Sequence, residues 1–130
     1  SKDALRTLDM GESFVGDEGM AEIANYPNIE SLNLWAGYFT GDGLPLISSL
    51  TNLKDLNVQS TEIYYDNIDV IAQLTTLESL NLMETRITDD GLAKLHDLKN
   101  LKSINLANTE VSEDGINALK EAIAGLDVQR

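Results

Sequence analysis

Residues 77–100 read LESLNLMETRITDDGLAKLHDLKN, and the pattern of the first six letters returns at a fixed spacing of 24 residues throughout the chain. The related segments are LRTLDM, IESLNL, LKDLNV, LESLNL and LKSINL, which begin at Leu5, Ile29, Leu53, Leu77 and Leu101. Five units of this length fill residues 5–124. Self-similarity at such a period indicates a stacked repeat architecture in which each unit contacts its neighbours.

Each unit contains one pattern typical of a strand and one typical of a short helix. In residues 77–100 the strand positions are Leu77, Leu80 and Leu82 and the helix positions are Leu92, Leu95 and Leu98. The period-2 alternation at the end of the first set predicts a short strand with one buried face, and the spacing of three predicts one face of a short helix. One such unit cannot bury its apolar face alone, so the units must stack.

The L-x-x-L-x-L segments and the stretch TRITDDGL at residues 85–92 resemble the leucine-rich repeat, in the bacterial 24-residue form that reads T-x-I-T-D-x-G-L. This resemblance implies an α/β fold: a right-handed solenoid forming a short horseshoe arc, with a parallel sheet on the concave face and short helices on the convex face. It also implies a protein-binding role and no reaction.

We expect a single domain over residues 1–130. Its repeats are predicted at 5–28, 29–52, 53–76, 77–100 and 101–124, with a C-terminal cap at 125–130. Gly125 is expected to stop the last helix, and Leu126-Asp127-Val128 to add a final short strand. Only four residues precede the first repeat, so one flank of the N-terminal repeat is expected to be unprotected. Either the chain is a fragment of a longer array or that end meets another molecule, and both interpretations stay open.

Two positions depart from the family pattern. The ninth position of each repeat, usually Asn or Cys in the family, carries Ser13, Gly37, Thr61, Thr85 and Thr109. A hydroxyl can satisfy backbone groups of the turn as an amide does, whereas Gly37 cannot, so repeat two is expected to be locally irregular. In repeat three, Tyr64-Tyr65-Asp66-Asn67 replaces the Thr-Asp-x-Gly turn.

The strand positions that face away from the core are polar or small. One column holds Asp9, Asn33, Asn57, Asn81 and Asn105, and the adjacent column holds Thr7, Ser31, Asp55, Ser79 and Ser103. Amides stacked on neighbouring strands can hydrogen-bond along the stack, which favours a sheet-stiffening ladder over a polar recognition stripe. The small residues beside them leave the concave floor open to a partner.

The candidate protein-binding residues follow the strands. They are Trp35 and Tyr38 as anchors, supported by Phe14, Gln59, Met83 and Arg86. We expect Phe14, Trp35, Tyr38 and Met83 to cluster along one edge of the concave face, here called the aromatic rim, with Tyr64 and Tyr65 further along the same side. Exposed aromatic residues are enriched at interface hot spots. The alternative is that Trp35 packs locally over the space left by Gly37.

Charge and composition narrow the function further. The 22 acidic and 9 basic residues give a net charge of −13, which argues against nucleic acid as a partner and allows a basic protein. No segment has the roughly 18 consecutive apolar residues of a membrane span.

The chain has no cysteine and one histidine, His96, with no Ser or metal-ligand partner predicted beside it, so we predict no enzyme activity and no cofactor. Each acidic turn offers one or two carboxylates, far fewer than the six to eight oxygens that calcium prefers, so no metal site is predicted.

A second class of function depends on the N-terminal end. If that flank is bare, Leu5, Leu8 and Met10 would form a self-association surface beside an open strand edge. The chain would then be a structural or self-assembling subunit, and a homo-oligomer is expected. The sequence leaves this alternative open beside protein recognition by the concave face.

Overall fold

The computed structural model describes residues 2–64 and 66–130, and these residues form a parallel sheet of six three-residue strands. In sheet order, which is also chain order, β1 to β6 are Thr7–Asp9, Ser31–Asn33, Asp55–Asn57, Ser79–Asn81, Ser103–Asn105 and Asp127–Gln129. The register is constant along the sheet. Leu32 on β2, for example, pairs with Leu8 on β1 and with Leu56 on β3. The 24-residue period of the sequence is therefore the spacing between paired strands.

A short helical segment follows each of the first five strands. These segments are α1 (Asp17–Ile23), a 3₁₀ helix (Leu44–Ser49), α2 (Ile68–Ala72), α3 (Asp89–Ala93) and α4 (Glu113–Ala122). Among the described residues the last helix is the longest, with 10 residues. Gly125, with φ of +79°, turns the chain after it into β6, where Val128 pairs with Ile104.

The core lies between the sheet and the helical segments and consists of the apolar columns. Leu56, Leu80 and Ile104 are at most 2% exposed. The first repeat differs, because β1 has a neighbour on one side only. Leu5, Leu8 and Met10 are only partly buried against the core.

Each of the first five strands ends in a turn built on a left-handed residue. The five residues that share this position have φ between +57° and +60°: Glu12, Ala36, Ser60, Glu84 and Asn108. In the first four of them the N–H group donates across to the next repeat; Ala36, for example, donates to the carbonyl of Gln59 at 3.0 Å. A non-glycine residue in this region costs about 1–2 kcal/mol. Phe14, with φ of +55°, is a further left-handed residue, and its counterparts in the later repeats do not share that conformation.

The threonine hydroxyls at the ninth positions bond to the backbone of the turn, as the sequence predicts. Thr85 and Thr109 each donate their hydroxyl to the carbonyl three residues earlier, at 2.7 Å and 2.6 Å. At Gly37 the space that a Cβ would occupy lies 2.9 Å from the ring of Phe39. The buried Phe39 ring therefore lies against this space, and the alternative in which Trp35 packs over Gly37 stays a prediction.

Candidate functional site

The concave floor is shallow and polar. Alternate residues of β2, β3 and β4 line a depression of about 260 Å³, and its polar lining consists of Ser31, Asn33, Asp55, Asn57, Ser79 and Asn81. These side chains are small or short, so a partner can approach the sheet closely. The floor has the open polar character that the sequence predicts.

The asparagine column holds the turns in place. The Oδ1 of Asn33 accepts the N–H of Trp35 at 3.0 Å, and the same bond recurs at Asn57, Asn81 and Asn105. The Nδ2 of Asn81 reaches back one repeat to Gln59 Oε1 at 3.2 Å. The predicted ladder of asparagines bonded to each other is wrong for this column, because the Nδ2 of Asn81 donates to Gln59 and that of Asn105 to the sulfur of Met83.

An amide-to-amide bond does occur on the loops that precede the strands. There the Nδ2 of Asn52 donates to Oδ1 of Asn28 at 3.3 Å. Sequence reasoning placed the amide ladder in the strand column because it counted only the residues between the core positions.

The candidate binding residues occupy two rows. Trp35, Gln59 and Met83 form one row directly after the strands and are partly buried. Phe14, Tyr38 and Arg86 form the second row, three residues further along, and are exposed. The structure brings Phe14 and Tyr38 together, with ring centroids 5.2 Å apart and an interplanar angle of 18°. Among the described residues, Trp35 makes no ring contact with either of them.

A groove opens beside the second row, between repeats two and three. It has a volume of about 750 Å³. Its wall is mostly apolar and carries two carboxylates, from the following residues: Tyr38, Phe39, Thr40, Gly41, Pro45, Glu62, Tyr64, Asp66, Asn67 and Val70. Of the predicted binding residues, only Tyr38 lines it. Tyr65 lies outside the described residues.

The junction between repeats one and two has no such groove at the corresponding place, because the carboxylate of Asp17 lies there. Asp17 accepts hydrogen bonds from the N–H and the hydroxyl of Thr40, both at 2.7 Å. A Cβ at Gly43 would lie 2.1 Å from its Oδ1. The hydroxyl and backbone bonds from Thr40 hold the pKa of Asp17 below its usual value. We call this arrangement a carboxylate clamp.

The same clamp closes the junction between repeats four and five. Asp89 accepts the N–H and hydroxyl of Ser112 at 2.8 Å and 2.6 Å, and a Cβ at Gly115 would lie 2.2 Å from its Oδ1. The bonds from Ser112, its hydroxyl first, lower the pKa of Asp89 in the same way. Ser112 also accepts the N–H of Gly115 at 3.2 Å and so caps the N-terminus of α4.

At the groove the clamp residues are replaced. Gly41 stands where Asp17 and Asp89 stand, Tyr64 stands where Thr40 and Ser112 stand, and Asn67 replaces the glycine. The Asn67 side chain turns inward to its own loop, accepting the N–H of Tyr64 at 2.6 Å and donating to the carbonyl of Glu62 at 3.0 Å. No side chain therefore bridges from Gly41, and the junction is open.

Tyr64 is held from two sides. Its hydroxyl donates to the carboxylate of Glu62, and the guanidinium of Arg86 lies 6.0 Å from its ring centroid. The hydrogen bond to Glu62 raises the pKa of Tyr64, because the bond favours the protonated phenol. The exposed ring is thus positioned at the groove. Sequence reasoning placed Tyr64 on this side of the molecule but did not select it as a binding residue.

The opposite edge of the concave face carries a charge ladder that sequence reasoning missed. One residue per repeat alternates in sign along the stack: Arg6, Glu30, Lys54, Glu78 and Lys102. Glu30 pairs with Arg6 at 3.4 Å and with Lys54 at 3.5 Å, and Lys102 pairs with Glu78 at 3.1 Å. Stacking the charged positions as well as the apolar ones reveals this column in the sequence. Exposed pairs of this kind contribute about 0.2–1 kcal/mol each.

Neither a metal cluster nor a membrane span emerges from the described residues. Within residues 2–64 and 66–130, no three His, Asp or Glu side chains come together in a way that could hold a metal ion. In the same part of the chain, no helix is both long and apolar enough to cross a bilayer.

Comparison with known proteins agrees with this geometry. A family model described as "Leucine Rich repeat" matches residues 73–95. The structure of internalin C2 from Listeria monocytogenes aligns with a TM-score of 0.78 and 22% identity, over 95% of this chain and 50% of the internalin. The chain thus spans about half the length of that neighbour. A search of curated protein sequences gave no significant match.

Two further bacterial structures share the fold. A leucine-rich repeat protein of Leptospira interrogans aligns with a TM-score of 0.66 and 20% identity, over 85% of this chain and 27% of its own. The internalin InlF of Listeria monocytogenes aligns at 0.56 and 18%, over 84% and 36%.

The fold and these neighbours define a right-handed leucine-rich repeat solenoid, as the sequence predicts, and the neighbours themselves are bacterial proteins. This fold supports protein interaction in general, and the proteins that carry it are typically non-enzymatic. The repeat and cap boundaries given above stay predictions.

Proposed function

We propose that this chain is a non-catalytic module that binds a protein partner through its concave face and its aromatic rim. The stacked pair Phe14 and Tyr38 carries the proposal, because their side chains remain 56% and 70% exposed although both are large and aromatic. Aromatic side chains that are already packed against each other lose little conformational freedom on binding, which favours them as anchors.

The first row of candidate residues supports the same surface. The backbones of Trp35, Gln59 and Met83 are fixed by the asparagine column, so their side chains project from a rigid edge of the sheet. A partner lying on the polar floor would meet this row before it reaches Phe14 and Tyr38. Arg86 extends the second row beyond Tyr38.

The charge distribution supports a basic partner. Residues 7–53 contain no Lys or Arg and carry seven carboxylates. Such a field steers a positively charged partner and raises its association rate. Nucleic acid is negatively charged, as this chain is, and is therefore not proposed as a partner.

The test uses proteins retained from a cell extract by the immobilised chain. Each retained protein is then titrated against the wild-type chain, the Trp35→Ala plus Tyr38→Ala double variant, and Leu46→Ala. Leu46 is an exposed apolar residue on the 3₁₀ helix and serves as the matched control. We expect the double variant to lose at least tenfold in affinity with an unchanged fold, and the control to bind normally. Equal affinity in all three would refute this site.

A second candidate function is self-association through the first repeat. It is favoured by the partial exposure of Leu5, Leu8 and Met10, whose counterparts in the inner repeats are buried. The open edge of β1 offers unpaired backbone groups beside them. In this function the aromatic rim would play no part.

Light scattering over a concentration series distinguishes the two functions. Self-association predicts a mass that rises above 14.2 kDa, and Leu8→Lys or Met10→Lys would return it to the monomer value. A mass that stays at the monomer value at every concentration would exclude this second function.

A further inference from the structure

We infer that the groove between repeats two and three binds an arginine side chain presented by a basic segment of the partner. This inference rests on the proposed function, since it assigns the chemistry of one contact that a protein partner would make. It concerns the groove wall and is independent of the concave floor.

The shape of the groove suits a side chain with its flanking backbone. A volume of about 750 Å³ is within the usual range of ligand sites. The apolar part of the wall is formed by Phe39, Pro45 and Val70, with the rings of Tyr38 and Tyr64 beside them. This wall would contact the aliphatic part of a long side chain.

The polar groups of the groove favour a cation. Glu62 and Asp66 supply its two carboxylates, and no Lys or Arg is among the residues that line it. Among the other polar side chains, Thr40 donates to Asp17, Asn67 is bonded within its own loop and the Tyr64 hydroxyl donates to Glu62. The charged groups that a ligand would meet in the groove are therefore both negative.

A guanidinium of the chain itself, from a residue that does not line the groove, already lies at the Tyr64 ring. Arg86 lies over the ring of Tyr64 at 6.0 Å, a cation–π distance. Tyr64 is also pinned by its bond to Glu62, so its ring and that carboxylate act as one surface. A planar guanidinium stacks on aromatic rings and pairs with carboxylates in a fork geometry, whereas an ammonium does neither as well.

The probe is an acetylated, amidated Ala-Ala-Arg-Ala-Ala peptide, with matched peptides that carry Lys or citrulline in place of Arg. Citrulline has nearly the shape of arginine and no charge. The peptides are titrated into protein with ¹³C-labelled tyrosine rings, and the ring resonances are followed by NMR. We expect saturable shifts at Tyr38 and Tyr64 and none at Tyr26, with Lys weaker and citrulline at least tenfold weaker than Arg.

Three variants locate the site. Gly41→Leu fills the groove without a change of charge, and no atom lies within 4 Å of the position its Cβ would take. Tyr64→Leu removes the ring, and Glu62→Gln with Asp66→Asn removes the charge. Each is expected to weaken the Arg peptide at least tenfold. Glu113→Gln with Glu121→Gln changes the charge equally on α4, outside the groove, and is expected to leave affinity within twofold.

Two results would overturn the inference. If the α4 control lowers the affinity for the Arg peptide as much as Glu62→Gln with Asp66→Asn does, the peptide responds only to the net charge of the protein. If Gly41→Leu, confirmed as folded by its unfolding transition, binds normally, then the groove is not the site. Loss of partner binding in Trp35→Ala with an intact peptide response would support the concave face separately, so the two proposals can fail independently.

Discussion

The junction between repeats one and two is closed, whereas the junction between repeats two and three is open. At the first, Asp17 bridges to Thr40 and fills the space beside Gly43. At the second, Gly41 and Tyr64 stand in the places of Asp17 and Thr40, and a groove of about 750 Å³ results. The strands behind both junctions are paired in the same register.

This difference teaches that the two sides of a repeat can change independently. The sheet and the apolar columns keep the stack together, so the loops on the outer side can lose a clamp without loss of the fold. Repeat four regains the clamp through Asp89, which closes on Ser112 and Gly115 of repeat five. The clamp carboxylate thus occurs in repeats one and four, whereas repeats two and three carry Gly41 and Tyr65 at that position of the sequence.

The largest expected effect comes from crowding a clamp. In Gly43→Ala the new Cβ would lie 2.1 Å from Asp17 Oδ1 and 3.0 Å from its Cα, so the carboxylate must leave its place. We expect Gly43→Ala to lower the free energy of unfolding by about 1–3 kcal/mol, the usual cost of overpacking. Gly115→Ala is expected to act alike at the second clamp. Urea denaturation measures both.

The matched control is Gly41→Ala at the open junction. No atom lies within 4 Å of its Cβ position, and its φ is not left-handed. Since alanine restricts the unfolded chain more than glycine does, this variant is expected to be neutral or up to about 1 kcal/mol more stable. If Gly41→Ala and Gly43→Ala destabilise equally, the contrast between the junctions is wrong.

The fold was predictable from the sequence because the same pattern of apolar positions recurs in all five repeats. The strand that begins at Ser79 and the helix that begins at Asp89 follow directly from the apolar spacing of residues 77–100. The hydroxyl bonds at Thr85 and Thr109 also followed, since they depend only on neighbours within one turn.

The groove was not predicted, because it depends on the absence of a carboxylate clamp between repeats two and three. The clamp joins Asp17 to Thr40, and nothing in either repeat alone marks that bond. The role of Gly41 becomes visible only when it is aligned with Asp17 and Asp89 and their partners are known. The prediction for the asparagine column was wrong for a related reason. An amide side chain can bond either along the stack or within its own turn, and the residue type alone does not distinguish the two.

A smaller effect is expected from acid. The pKa values of Asp17 and Asp89 are lowered in the folded chain, so the clamps add stability above the unfolded value of 3.8 and lose it as the pH falls through the folded values. Asp17→Asn with Asp89→Asn should therefore be less stable than wild type at pH 6. The difference should shrink below pH 3.8.

Urea denaturation at pH 6, 4 and 3 measures this difference. The control is Asp42→Asn with Asp90→Asn, two exposed carboxylates outside the clamps. A control pair with the same pH profile as the clamp pair would mean that general charge repulsion, rather than the clamps, sets the acid response.

The smallest expected effect tests whether the contrast stops at the outer loops. Glu12 and Ala36 occupy the same left-handed position, with φ of +59° and +60°, and their N–H groups cross the closed and the open junction respectively, each at 3.0 Å. Glycine relieves the left-handed cost but gains freedom in the unfolded chain, so a net stabilisation of about 0.5 kcal/mol is expected on replacing alanine. Ala36→Gly measures this directly, and Glu12→Gly is read against Glu12→Ala to remove the charge.

Equal gains at the two positions would mean that the turns on the concave side are indifferent to the clamp. The open junction would then be a change of surface alone, free to serve binding. A clearly larger gain at Ala36 would mean that loss of the clamp also strains the turn behind it, and that the groove was acquired at the expense of the sheet edge that carries Trp35.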